Sequence, residues 1–246
     1  MKKFIITSNK YSFCLNGFHK LQKKYWKSSE FVVLGFEKPN FDFSENFQFH
    51  SFGENFNDES PWVDFLNPFF ENLSDDFFFL CFEDHFLIEN VNEVFFQQAE
   101  EIMILHEEVG KIRMHPPYKT GMILEKFNDN FFTSPTGPHT YIATSLRPAI
   151  WRKSLFLKLL NQGEKTIKTP HDFESFNDKL HIDTTVLVPN LKKPIYPDLD
   201  AMRRGNLNPL CSKPGLVDMD YYNLNLTLED YEIFQDIKKT WENVIR

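Results

Sequence analysis

The sequence is poor in cysteine and has no long apolar run. Its three cysteines, Cys14, Cys81 and Cys211, stand far apart, which excludes both a disulfide framework and a closely spaced zinc cluster. The apolar run that follows the first two lysines is too short for a signal peptide, and no segment approaches the length of a membrane span. We therefore expect a protein without a membrane span in the reducing environment of the cytoplasm.

Glycine-rich motifs and basic blocks are also missing. The chain has nine glycines, and none of them forms a dinucleotide-binding fingerprint, a P-loop or a serine nucleophile elbow. A nucleotide ligand would therefore have to be held in another way. The 27 basic and 35 acidic residues give a net charge of −8, and without a long basic block we do not expect a surface for duplex nucleic acid.

The apolar patterning predicts one large α/β domain over residues 1–246. In the first half, strands and helices alternate as β-α-β-β-α-β-α-β, which is typical of a Rossmann-like sheet with parallel pairing. The predicted strands of this half are 3–7, 31–36, 47–52, 77–82 and 110–115, and its predicted helices are 15–26, 61–70 and 91–107.

Beyond Pro117 the pattern changes to elements of mixed direction. The predicted elements of this part are strands at 121–132 and 140–146, a helix at 148–160, a short helix at 170–174, a strand at 184–188, an irregular stretch at 191–214 and an amphipathic helix at 228–245.

One stretch organises the rest of the chain. Six consecutive apolar residues, Phe77 to Phe82, run into Glu83 and Asp84. Such a run predicts a strand buried on both faces, so the two acids would lie at the carboxyl end of a central strand, where open α/β sheets bind ligands. The pair would suit a divalent metal, a sugar hydroxyl or a proton transfer. The alternative is a strand that ends at a charged, solvated turn.

Four short stretches, taken together, resemble one family. They are Tyr25-Trp26, Leu80 to Leu87, Thr144 to Trp151 with Leu155 to Leu160 after it, and Pro170 to Glu174 followed by Tyr196 and Arg203-Arg204-Gly205. In this order they resemble the GT-A-type glycosyltransferase-like proteins of bacterial polysaccharide loci and some large viruses. The resemblance extends from about residue 3 to about residue 210.

The resemblance implies a GT-A-like fold: a Rossmann-like mixed central sheet flanked by helices, with an acceptor-side subregion. Residues 1–117 would form the nucleotide-binding half, and residues 118–246 the acceptor-side half with the C-terminal helix. The implied activity is transfer of a sugar from a nucleotide-sugar donor, usually a UDP-sugar, to a hydroxyl, assisted by Mn²⁺ or Mg²⁺. The expected acceptor is a glycan, and a modified nucleobase is a less favoured alternative. If the source is viral, the expected location is the host cytoplasm.

The resemblance also assigns donor-side roles. Glu83 and Asp84 stand where such enzymes keep an Asp-x-Asp motif. Asp84 would therefore bind the metal. Glu83 would bind either a ribose or sugar hydroxyl or the metal itself. Further expected contacts are Thr7 and Ser8 near the nucleotide base, Arg203 and Arg204 on the diphosphate, and His85, His171 or His181 as a third metal ligand.

On the acceptor side, Glu174 resembles the acid that opens a helix in inverting GT-A enzymes. It would act as the general base that removes the acceptor proton, with Asp172 as the second candidate. A purely structural role is the alternative for Glu174, because an acid in the first turn of a helix interacts favourably with the helix dipole.

Two other functions remain open at this point. The first is a catalytically inactive GT-A-like module that binds a sugar or nucleotide. The second is a nucleotidyltransferase, which also uses paired acids and metal. Such enzymes usually carry a basic glycine-rich loop after the first strand, and Asn9-Lys10-Tyr11-Ser12 does not match one.

Overall fold

The chain folds around one nine-stranded sheet with helices on both faces. A computed structural model describes residues 1–53, 62–117, 124–134, 143–162, 167, 169–175, 184–203, 206–208, 213–219 and 222–244. The helices are α1 (Leu15–Tyr25), α2 (Trp62–Glu71), α3 (Glu93–Leu105), α4 (Lys153–Gln162), α5 (Pro170–Ser175) and α6 (Leu228–Val244).

The strands number fifteen among the described residues. They are β1 (Lys2–Ile6), β2 (Phe31–Gly35), β3 (Phe47–Ser51), β4 (Phe77–Phe82), β5 (His85–Leu87), β6 (Val109–Arg113), β7 (Glu125–Lys126), β8 (Phe131–Ser134), β9 (Ala149–Arg152), β10 (Thr185–Pro189), β11 (Asp198–Asp200), β12 (Met202–Arg203), β13 (Asn206–Leu207), β14 (Gly215–Met219) and β15 (Tyr222–Leu226).

The large sheet has the order β3-β2-β1-β4-β9-β6-β10-β8-β7. Strands β3, β2, β1 and β4 pair in parallel, β9 is antiparallel to both of its neighbours, and β6 pairs with β10 in parallel. The remaining strands form three small two-stranded sheets. This topology confirms the predicted α/β class with a Rossmann-like, mixed central sheet.

Strand β4 lies at the centre and is buried on both faces, as its continuous apolar run predicts. Successive side chains of a strand point to opposite faces. Phe78 and Leu80 accordingly pack against the layer of α2, α4 and α5, whereas Phe79 and Cys81 pack against the layer of α1, α3 and α6. All four are fully buried, so the strand is fixed by apolar packing on both sides.

The first half of the chain folds close to its prediction. Its five strands and three helices form with ends shifted by a few residues. The alternating pattern of residues 47–52 predicts a half-buried or edge strand, and β3 lies at the edge of the sheet. A proline inside a helix kinks or divides it, and α2 is not divided at Pro68 but continues to Glu71.

The predicted helix at 148–160 is wrong in its first part. Ala149–Arg152 forms strand β9, and only then does α4 begin. A short apolar run fits a buried strand and a buried helix equally well. Here the gap between β4 and β6 decides the outcome, because β9 fills it and completes the backbone hydrogen bonding of both neighbours. Trp151, on this strand, is fully buried core.

Three further predictions need correction. The helical spacing of Val94, Phe95, Gln98, Ile102 and Leu105 predicts the buried face of α3. Ile102 is buried as predicted, but Val94 and Leu105 are 63% and 75% exposed, and Phe96, Ala99 and Met103 complete the buried face. The predicted strand at 140–146 does not form in its described part, 143–146, and residues 140–142 lie outside the described residues. The stretch at 191–214, predicted to be irregular, contains β11, β12 and β13.

The C-terminal helix is attached to α1 by one buried carboxylate. Asp230 accepts hydrogen bonds from the backbone and the hydroxyl of Thr227, at 3.0 and 2.6 Å, which makes a capping box at the start of α6. It also accepts from Lys24 Nζ at 2.8 Å and from the Tyr25 hydroxyl at 2.7 Å. Close packing continues along the helix, where a Cβ on Gly17 would come within 2.6 Å of Ile237. In the described part of the chain, none of the helices has both the length and the apolarity to cross a membrane.

We expect Asp230→Ala to lower the free energy of unfolding by about 2–4 kcal/mol, because it removes a helix cap and leaves Lys24 without its buried partner. Urea titration would measure the loss. Asp236→Ala is the matched control, since Asp236 lies on the same helix but is exposed, and it should change stability by less than about 0.5 kcal/mol. Equal effects of the two substitutions would contradict this account of how α6 is held.

Candidate functional site

The site lies at the edge of the sheet where the parallel strands β1, β2 and β4 end. The carboxylate of Glu83, directly after β4, accepts hydrogen bonds from Ser8 N at 3.1 Å and from Ser8 Oγ at 3.4 Å. Ser8 lies in the turn after β1. Gly35 closes β2, and a Cβ there would lie 2.5 Å from Thr7 Cγ2. The structure therefore brings Thr7, Ser8 and Glu83 together, as expected for the carboxyl ends of parallel strands.

In the acidic pair after β4, Glu83 is buried and Asp84 is half-buried. Burial, together with the neighbouring Asp84 charge, raises the pKa of Glu83 to about 8, although the bonds from Ser8 act in the opposite direction. Burial also raises the pKa of Asp84 to about 6, and the nearby His85 partly offsets this effect. The Asp84 carbonyl accepts the Ala201 N–H at 2.7 Å, which joins this turn to the end of β11.

A second set of acids stands on β11, across from the turn. Strands β5 and β11 pair antiparallel, with Asp200 opposite His85. Asp198 and Asp200 are two residues apart on one strand, so their side chains leave the same face. His85 Nδ1 lies 2.6 Å from Asp198 Oδ2 and 3.2 Å from Asp200 Oδ1. Burial acts to lower the pKa of His85, but its bonds to the two aspartates raise that pKa well above its usual value.

Asp198 is fully buried and lies close to two histidines. Its second oxygen, Oδ1, lies 2.6 Å from Nε2 of His115, which follows β6. Burial acts to raise the pKa of Asp198, but His115 and His85 hold it well below its usual range. Asp200 is ion-paired in the same way, and Nη2 of Arg147 lies 3.4 Å from its Oδ2. Each aspartate thus has one oxygen near His85 and one near a different basic group.

His85, Asp198 and Asp200 have the donor atoms of a metal site. One ligand atom from each lies within 4.8 Å of the other two. A cation would need a neutral imidazole as ligand, so binding would release the proton of His85. His115 and Arg147 would then remain as outer partners of the two carboxylates, the usual arrangement around metal ligands. The donor set therefore fits a divalent cation.

Glu174 is held close to this cluster by a five-residue segment, 143–147. The Leu146 N–H donates to Glu174 Oε1 at 2.7 Å, and the Thr144 hydroxyl donates to the Glu174 carbonyl at 3.0 Å. The next residue, Arg147, is the partner of Asp200. Segment 143–147 therefore contacts both the expected general base and the carboxylate cluster.

Asp172 has a structural partner instead. Its Oδ2 accepts from both the backbone N–H and the hydroxyl of Thr169, each at 2.9 Å, and its own N–H donates back to that hydroxyl at 3.2 Å. This is a capping box at the start of α5. The cap accounts for an acid at this position without a role in chemistry, and it favours Glu174 among the two candidate bases.

The remaining expected site residues are placed as follows. His171 is exposed on α5. Arg203 belongs to β12, where its backbone pairs with Asn206, but its side chain lies outside the described part of the structure. His181 and Arg204 lie outside the described residues altogether. Glu83 turns its carboxylate to Ser8. Among the expected metal ligands that the structure describes, only His85 belongs to the donor cluster.

Four residues of the site were not predicted from the sequence: Asp198, Asp200, His115 and Arg147. A signal for the first two was available, since Asp198-Leu199-Asp200 alternates charged and apolar residues in the manner of a short strand. The four prolines between 191 and 214 favoured an irregular interpretation. His115 and Arg147 stand next to prolines at the ends of predicted elements, and no local pattern links either of them to Asp198 or Asp200.

We expect Glu83→Gln to gain stability relative to the wild type as the pH rises from 5 to 8. The pKa of Glu83 is about 8 in the folded protein and 4.5 as an ordinary value. Between these values only the unfolded state loses the proton, so wild-type stability falls with pH. The amide keeps an acceptor for Ser8 but has no proton to lose. The difference in the free energy of unfolding should change by roughly 1–3 kcal/mol.

Urea unfolding at pH 5 and pH 8 measures this change. Glu101→Gln, at an exposed position on α3, is the matched control and should show no such trend. A constant difference between Glu83→Gln and the wild type across this range would mean that Glu83 is not a buried, protonated acid.

No protein-family model and no curated protein matches the chain. Solved structures with a similar fold include S. aureus TarS 1-349 in complex with UDP, at 12% identity and a TM-score of 0.47 over 98% of this chain and 65% of that one. A cytidylyltransferase from Leptospira borgpetersenii is 11% identical, with a TM-score of 0.44 over 99% of this chain and 94% of that one.

The bifunctional IspDF from Campylobacter jejuni is 12% identical, with a TM-score of 0.41 over 81% of this chain. The chain spans 52% of the length of that structure and 37% of the longer TarS structure. With identities this low and TM-scores below 0.5, any conclusion about function depends on the site itself.

Proposed function

We propose that the chain is a glycosyltransferase that moves a sugar from a nucleotide-sugar donor, a UDP-sugar in the first instance, to a hydroxyl acceptor. The observation that supports this most is the convergence of His85, Asp198 and Asp200 beside the Ser8–Glu83 contact. This convergence places metal-ligating atoms next to a polar turn, at the sheet edge where α/β proteins bind ligands.

The cluster would hold Mn²⁺ or Mg²⁺ through one imidazole and two carboxylates. A bound divalent cation would stabilise the negative charge of the nucleoside diphosphate as it leaves the sugar. Mn²⁺ is the better match, because Mg²⁺ strongly prefers oxygen ligands whereas this set includes a nitrogen. In this proposal Asp84 lies next to the metal site and is not itself a metal ligand.

Other residues of the same edge would hold the donor. Thr7, Ser8 and Glu83 are proposed to contact the nucleoside. Glu83, when protonated, can donate a hydrogen bond to a ribose or sugar hydroxyl. Arg147 is proposed to contact the diphosphate, since a guanidinium suits phosphate geometry and its 3.4 Å contact with Asp200 already places it at the cluster. Arg203 and Arg204 stay candidates for the same role.

Glu174 is proposed as the general base of an inverting transfer. The acceptor oxygen would attack the anomeric carbon as the bond from that carbon to the diphosphate breaks, and the acceptor proton would pass to Glu174. The Leu146 N–H engages Oε1 and would fix the orientation of the carboxylate, so that Oε2 takes the proton.

Release of nucleotide from a panel of nucleotide sugars, with and without Mn²⁺, tests this proposal without a choice of acceptor. We expect metal-dependent release from one donor, and Asp200→Asn should slow it by roughly 10²-fold, since a Lewis acid is worth several kcal/mol. Asp129→Asn, at a fully exposed position, is the control and should match the wild type. No release from any donor, together with no thermal shift by any nucleotide, would refute the nucleotide-sugar function.

We expect Glu174→Gln to lower the rate of transfer by roughly 10²- to 10⁴-fold, the usual contribution of a general base. The thermal shift produced by UDP with Mn²⁺ should persist, because Glu174 does not belong to the donor cluster. If instead Asp172→Asn abolished transfer while Glu174→Gln remained active, the base would have to be reassigned to Asp172.

A non-catalytic nucleotide-binding module is the second candidate, and one observation favours it. With His85 protonated, the charges of His85 and Arg147 balance those of Asp198 and Asp200, so the cluster needs no cation for neutrality. The same donor panel separates the two functions. A thermal shift with nucleotide but no release, in the presence of any offered acceptor, would support the binding module.

A further inference from the structure

Strand β6 carries two basic residues that have no contact with solvent. Lys111 and Arg113 are both 0% exposed. Burial of an ammonium group is costly unless hydrogen bonds and charges replace its hydration. The environment of Lys111 therefore has to contain groups that compensate its charge, and those groups indicate what the residue does.

The Lys111 ammonium contacts two backbone carbonyls and an aromatic ring. It donates hydrogen bonds to the carbonyls of Ala143, at 3.2 Å, and Ser145. It also lies 3.8 Å from the centre of the Trp151 ring, close enough for a cation–π interaction. Burial lowers the pKa of Lys111 well below its usual value, as does Arg113, whereas the charge of Glu174 acts to raise it.

Segment 143–147 makes contacts with three parts of the structure. The carbonyls of residues 143 and 145 accept from Lys111. The Thr144 hydroxyl and the Leu146 N–H donate to Glu174, and the Arg147 side chain pairs with Asp200. The segment therefore connects the buried Lys111 on β6 with the proposed base and with one proposed metal ligand.

We propose that Lys111 is a positioning residue that sets Glu174 and Asp200 in register through segment 143–147. This inference rests on the proposed function for its catalytic consequence, but the physical link between Lys111 and the segment is independent of it. Without the ammonium, two carbonyls would lose their buried donor and the segment would shift. A shift of about 1 Å at reacting groups can cost roughly 10²-fold in rate.

Hydrogen exchange of the full-length protein tests the physical link. We expect the amides of 143–147, including the Leu146 N–H, to exchange at least about tenfold faster in Lys111→Met than in the wild type. Lys153→Met is the matched control, because Lys153 also donates to one backbone carbonyl, that of Leu73 at 2.8 Å, but at the opposite end of β9. It should leave exchange in 143–147 unchanged.

A second variant covers the case in which Lys111→Met does not fold. Lys111→Gln is uncharged and therefore easier to bury, and its amide nitrogen is one bond short of the lysine Nζ position, so it cannot keep both carbonyl contacts. Faster exchange in 143–147 than in the wild type would support the proposal. Wild-type exchange in that segment, in whichever variant folds, would overturn it.

A double-mutant cycle then tests the catalytic consequence. If Lys111 acts through Glu174 and Asp200, adding Lys111→Met to Glu174→Gln should slow transfer less than Lys111→Met slows the wild type, because the part of the loss that runs through Glu174 is already present. Independent, multiplied losses would refute the positioning role. If the wild-type protein released no nucleotide at all, the proposed function would fail, and the exchange result would still decide whether Lys111 orders the segment.

Discussion

The site depends on one buried charge. Asp198 is fully buried, and an isolated carboxylate in that position would be strongly unfavourable. His85 and His115 each lie 2.6 Å from one of its oxygens. Asp198 belongs to β11, His85 to β5 and His115 to the segment directly after β6. Their interaction therefore fixes three parts of the chain at the carboxyl edge of the sheet. It also holds in place a part of the chain that contains four prolines.

The same edge carries two kinds of acid in different environments. Glu83 is buried and Asp84 is half-buried, and desolvation raises their pKa values to about 8 and about 6. Asp198 and Asp200 are paired with basic groups, and their pKa values are lowered. Acids with separated pKa values are suited to separate roles. The first pair suits hydrogen bonding to a neutral ligand group, and the second suits a cation.

The sequence predicts the fold better than the site. Strand β4 could be predicted because its apolar run matches burial on both faces, and the position of Glu83 beside Ser8 follows from the parallel order of β1 and β4. The sequence pattern could not distinguish strand β9 from a helix, because the outcome depends on the gap between β4 and β6, which are distant in the sequence. Asp198 and His85 are 113 residues apart, and their contact results from tertiary pairing of two three-residue strands that have no strong local pattern.

The position of the cation tests the central claim most directly. Crystals of the protein grown with Mn²⁺ and UDP, measured at a wavelength with strong manganese anomalous scattering, would locate the ion without reference to activity. The account predicts an anomalous peak about 2.0–2.3 Å from His85 Nδ1 and from one oxygen each of Asp198 and Asp200. A peak at Glu83 and Asp84 with the His85 cluster still ion-paired, or no peak at this edge, would contradict it.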